Sequence, residues 1–219
     1  MRFKITGQHR KVFESQKYIT FENSLPSTLL EEASLQADTI LSARLHRMID
    51  NVSSPELFKV GRDLWRQNAT IKRLVQNRTL AQLAGGLFGK KTLHLAFAQL
   101  LRTTSRIGFP GLTACPLQQI SCIHPLAGAA LIRLSGTNTS SPLLPTQPED
   151  VVFLTPDLPI PWEIFFQEPH HSFLLIAYAP PRAQYLLNKQ DVHTHDLKKL
   201  GYGFGDAICP PHHPILYME

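Results

Sequence analysis

RTLAQLAGGLFGKKTLHLAFAQLLRT, residues 78–103, changes its apolar period midway, and that change sets the fold class. In the first half Leu80, Leu83, Ala84, Leu87 and Phe88 recur at i, i+3, i+4, i+7 and i+8, one face of a helix beginning at Thr79. Gly89 stands where a left-handed C-cap is needed, and Lys90 and Lys91 suit the negative end of the helix dipole. From Thr92 to Thr103 the pattern loosens to alternation and predicts a strand. The Gly85-Gly86 pair inside the helix costs about 1 kcal/mol per glycine relative to Ala. Close approach to another element would explain it.

Toward the N-terminus the reading stays helical. Ser27 can cap a helix with Glu31 and Glu32 in its first turn, whose apolar face is Leu30, Ala33, Ala37, Ile40, Leu41, Leu45 and Met48. Ser54 caps a second, with Pro55 at its first position, and Ile71, Leu74 and Val75 mark a further short turn of helix. Toward the C-terminus short apolar runs at 119–134, 151–154, 162–166 and 173–179 predict strands, separated by Gly136-Thr137-Asn138 and by prolines. Helices first and a run of strands after them give an α+β architecture in one domain, residues 1–219.

Hydrophobic content of 43% with 18% charged residues excludes wholesale disorder. No apolar run approaches the ~20 residues that span a bilayer, and the basic start MRFKITGQHRK lacks the apolar stretch of a signal peptide. Cys115, Cys122 and Cys209 are odd in number and wrongly spaced for common zinc sites, so they read as reduced thiols of a cytoplasmic protein. Residues 1–110 hold 17 Lys+Arg and 8 Asp+Glu, a surplus of +9, whereas 111–219 carry −4. The best nucleic-acid candidate is the segment 59–78; Arg62, Arg66, Lys72 and Arg73 there support weak, non-specific binding at most.

The run GRDLW…IKRLVQNRTLAQLAGGLFG at 61–89, the strand LHLAFAQLL after it, and FLLIAYAPPRAQYLLNKQDVHTHDLKKLGYGFGDAI at 173–208 resemble phytanoyl-CoA dioxygenase-like proteins. These belong to the iron(II)/2-oxoglutarate-dependent oxygenase superfamily. The resemblance implies a double-stranded β-helix (jelly-roll) core with N-terminal helices packed outside it. Iron chemistry in that family needs an HxD motif and a distant His, since residues two apart on a strand share a face and converge on one ion. This chain has no HxD. Pro116, Leu117, Gln118 and Gln119 stand where the motif is expected, and Leu158, Pro159, Ile160 and Pro161 where the distal His is expected. His170 and His171 replace the Arg that grips 2-oxoglutarate. The resemblance therefore implies a degenerate bacterial member lacking the metal ligands, a pseudoenzyme binding neither iron nor 2-oxoglutarate. Such a chain would serve as a small-molecule-binding or interaction domain with no catalytic residue. The barrel-mouth candidates are Gln118, His124, His170 and His171. One alternative is an active oxygenase with substitute ligands from among these histidines; the other is a basic DNA-binding regulator.

Among the remaining motifs, His193-Thr194-His195-Asp196 has ligand chemistry. The simpler expectation is that Thr194 and Asp196 cap a short helix at 197–200 and leave the imidazoles exposed. Gly201-Tyr-Gly-Phe-Gly-Asp lacks phosphate-loop spacing and reads as a turn.

Overall fold

In this computed structural model residues 5–105, 111, 114–137 and 141–219 are described. Met1 to Lys4 of the basic start and Asn138 of the expected turn lie outside that set. The helical half comprises α1 (Gly7–Gln16), strand β1 (Tyr18–Phe21), α2 (Ser27–Leu45), α3 (Ser54–Val60), α4 (Ala69–Val75) and α5 (Arg78–Phe88). Asn68 and Asn77 cap α4 and α5, each side chain accepting two backbone N–H groups of the first turn. Gly89 closes α5 in the left-handed conformation, φ 62°, as its sequence predicts. Two caps fall one residue earlier than expected. Pro26 precedes α2 and Ser53 precedes α3, neither making a side-chain capping bond, so Ser27 and Ser54 lie inside their helices.

The second half supplies β2 (Thr92–Arg102), β3 (Cys115–Pro116), β4 (Ile123–His124), β5 (Gly128–Ser135) and β6 (Val151–Leu154). After them come β7 (Pro159–Ile160), β8 (Ser172–Ala179), β9 (Gln184–Tyr185) and β10 (Ile215–Met218). Six of the strands form one antiparallel sheet in the order β1-β6-β5-β8-β2-β10. The pairs β3–β7 and β4–β9 make two short ribbons.

Alternation along the central strands builds two cores. On β8, Leu174, Ile176 and Tyr178 pack with the helices, while Phe173, Leu175 and Ala177 pack with the residues of the ribbons. On β2, Leu93 and Leu95 face the helices, but so do Ala98 and Leu100. A bulge between Leu95 and Phe97 makes this parity switch and turns Phe97, Gln99 and Leu101 toward the barrel interior. Each fully buried Leu, Ile or Phe contributes roughly 1.5–3 kcal/mol.

Two expectations are corrected. Residues 162–166 form a 3-10 turn, Trp162–Phe166, not a strand. Trp162, Phe165 and Phe166 are buried at i, i+3 and i+4, and nearby prolines at 156, 159 and 161 remove ladder donors. The stretch 119–134 is broken too, because the strand proper begins only at Gly128. The glycine pair has the expected cause: a Cβ on Gly85 would lie 2.3 Å from the Tyr217 ring of β10, and one on Gly86 2.7 Å from Ile5. No helix among the described residues is long and apolar enough to cross a membrane.

Candidate functional site

Strands β3 and β7 pair with Cys115 opposite Ile160 and Pro116 opposite Pro159. This brings 116–119 beside 158–161, the two stretches where the family resemblance expects metal ligands. Leu117 and Ile160 are buried there, and the Trp162 indole donates to the Cys115 carbonyl at 3.1 Å. Leu117 and Trp162, with Ile120 and Phe58 and with Phe97 and Leu175 from the main sheet, line a void of about 10 Å³. That is at most one water. Gln99 is the uncharged polar group in this wall, and its amide is fully used. It donates to Phe58 O at 2.9 Å and Leu100 O at 3.0 Å and accepts from Arg62 Nε at 2.8 Å.

Iron(II) requires imidazole and carboxylate donors, and a co-substrate needs a pocket of roughly 300 Å³ or more. The residues present offer neither donors nor volume, so they do not fit the pair.

The four barrel-mouth candidates are engaged elsewhere or face solvent. Gln118 ties its own loop together, donating to Ile123 O at 3.3 Å and accepting from Leu126 N–H at 2.6 Å. His124 and His170 are exposed. His171 is buried beneath Gly136, whose Cβ would stand 2.2 Å from the ring. Its Nε2 accepts from Thr137 N–H at 3.0 Å, the His171 backbone N–H donates to Thr103 Oγ1 at 2.9 Å, and burial holds the imidazole pKa below its usual value. It pins the ends of β2, β5 and β8. Among the described residues no three His, Cys, Asp or Glu side chains are grouped as metal ligands.

Expectation fails most at His193. It is buried, and Asp196 does not cap the 3-10 helix Asp196–Leu200 but accepts from His193 Nδ1 at 2.8 Å and Lys199 Nζ at 2.8 Å. Only His195 is exposed. Asp191, itself buried, fixes this turn by accepting from His193 N–H at 2.9 Å and Cys122 N–H at 2.8 Å. Across from it, Arg62 lies 3.5 Å from Asp191 and 3.9 Å above the Phe97 ring. Arg66 reaches Asp63 at 3.3 Å. The Arg62 and Arg66 side chains are only 13% and 24% exposed, so they face a cleft of about 390 Å³ and not open solvent. Arg73 pairs with Glu32, and Lys72 is exposed on α4. The Gly201 segment is a turn, closed by Gly203 N–H donating to Asp206 at 2.7 Å.

No family model and no curated protein matches the chain by sequence. Solved structures do. The non-heme α-ketoglutarate-dependent carbocyclase SnoK from nogalamycin biosynthesis superposes with TM-score 0.68 at 14% identity, covering 96% of both chains. The epimerase SnoN of the same biosynthesis gives 0.64 at 16%, covering 94% of this chain and 96% of its own. EctD from S. alaskensis gives 0.55 at 12%, covering 83% and 78%. The chain therefore has the α+β fold of the iron/2-oxoglutarate oxygenases, a double-stranded β-helix with helices outside.

Proposed function

We propose that this chain is a non-catalytic member of the oxygenase fold, a small-molecule-binding or interaction domain whose barrel takes neither iron nor 2-oxoglutarate. One observation carries the reading. The paired stretches 116–119 and 158–161 hold no imidazole or carboxylate, Leu117 and Ile160 are buried, and the void that Leu117 lines measures only about 10 Å³. SnoN has been seen with Fe3+ and α-ketoglutarate, and EctD with 2-oxoglutarate. The likeness to them extends to fold, whereas binding depends on the side chains a site presents.

The purified chain, loaded anaerobically with iron(II) and 2-oxoglutarate and then exposed to oxygen, should retain no stoichiometric iron. It should also convert no 2-oxoglutarate to succinate and carbon dioxide. Iron retained at one per chain, or turnover above free iron, overturns the reading.

A further inference from the structure

We propose that the cleft between α2, α3 and the Asp196–Leu200 turn binds a small organic dianion, a phosphate monoester or a dicarboxylate, carrying a hydroxyl beside its charge. The inference deepens the small-molecule reading above and rests on it, but places the ligand outside the barrel. The cleft, about 390 Å³, is of ligand size.

Its charge is unbalanced. Arg44, Lys59, Arg62, Arg66 and Lys199 line it, against Asp63 and Asp196, with Asp191 behind Arg62. Five cations against three carboxylates leave two positive charges in a concave site, where field lines focus. Arg44 donates to neutral oxygens, Arg62 O at 2.8 Å and Gln67 Oε1 at 2.9 Å, and has no carboxylate partner within ion-pair reach among the described residues. Nor has Lys59, which is exposed.

The second observation is His193. It is 5% exposed, and its Nε2 is buried with no hydrogen-bond partner among the described residues. Native interiors rarely leave such an atom orphaned. Burial, then Arg62, holds the ring neutral, and Asp196 can only accept, so Nδ1 carries the proton and Nε2 presents a lone pair. Beneath the cleft a void of about 30 Å³, walled by Arg62, Asp63, Phe97, Cys122 and His193, has room for one hydroxyl or one water. A ligand hydroxyl donating to Nε2, with its anionic end among the cations, satisfies both features together.

The test uses the full chain with a chelator present and four probes: inorganic phosphate, glycerol 3-phosphate, malate and 2-oxoglutarate. Calorimetry should show saturable binding of glycerol 3-phosphate or malate, tighter than phosphate and 2-oxoglutarate, which lack an alcohol hydroxyl beside the charge. K59Q/K199Q alters two exposed lysines and should weaken that binding by about tenfold or more. In the unmutated chain the ¹⁵N resonance of His193 Nε2 should shift on saturation, a readout that does not depend on a buried-His variant folding. No saturable binding, binding indifferent to K59Q/K199Q, or an unmoved Nε2 resonance overturns the proposal. Because iron is withheld, these failures leave the barrel reading standing; iron retained at one per chain after the separate anaerobic loading would overturn the latter alone.

Discussion

Trp162 is the side chain whose removal reports most on the barrel interior. It is 1% exposed, stands 5.7 Å from the Phe165 ring centroid and bonds the Cys115 carbonyl at 3.1 Å. A buried indole of roughly 200 Å² at ~25 cal/mol per Å² sets an upper bound near 5 kcal/mol for its transfer term. The freed carbonyl adds about 1 kcal/mol, while collapse of Leu117, Ile120 and Phe97 into the gap returns part of the total. Trp162→Ala should therefore cost about 4 kcal/mol, a large share of the ~5–15 kcal/mol that stabilises a domain. Urea unfolding followed by far-UV circular dichroism measures it as a lower midpoint at unchanged slope. A loss below about 1.5 kcal/mol would refute the reasoning, because it would mean an indole already standing in a wet interior with room for a ligand.

Acid should destabilise the chain between pH 7 and 5. His171, His193 and His213 are held below the usual value chiefly by burial, so the unfolded chain takes up protons first. Their contribution is complete above about pH 6.5 and is lost as pH falls through the folded values; a urea midpoint that does not drop contradicts this. Gly85→Ala should destabilise by about 1–2 kcal/mol, since overpacking against Tyr217 outweighs the ~1 kcal/mol gain in helix propensity. Gly86→Ala meets Ile5 at Cγ1, 2.7 Å away, and at Cβ, 3.0 Å away, the stiff branched base of that side chain, and should also destabilise, so a raised midpoint for either variant would be the wrong outcome. A labelled DNA duplex should bind weakly, without sequence preference, and be released between about 50 and 200 mM salt. K72Q/R73Q should lower that affinity, and tight sequence-selective binding at physiological salt would promote a DNA-binding role instead.

What could be read from sequence was local. The α5 period, Gly89 and the apolar run of β8 depend on neighbours within a few positions, and each is found where its pattern puts it. The turn Trp162–Phe166 was misread as a strand because its aromatic run hides an i, i+3, i+4 burial pattern, for which only the flanking prolines gave a signal. α1 is too polar, and β1 and β10 at four residues each are too short, to announce themselves. The absence of an HxD motif is legible in the sequence, whereas the burial of Leu117 beside Ile160 appears only once β3 pairs with β7. The cleft was invisible for the same reason. Arg44, Arg62 and His193 come from distant parts of the chain, and the burial of His193 follows from Asp191 accepting both its N–H and that of Cys122.

The central claim concerns the barrel interior, so the most direct measurement places a metal probe against it. In a methyl-labelled sample titrated with manganese(II), a paramagnetic stand-in for iron(II), together with 2-oxoglutarate, the methyls of Leu117, Ile120 and Leu175 report on that space, and the Ile160 methyls on the β7 strand beside it. The account predicts that these signals stay sharp through one equivalent of metal. Saturable broadening centred on Leu117 and Leu175 would put a metal site inside the barrel and contradict it.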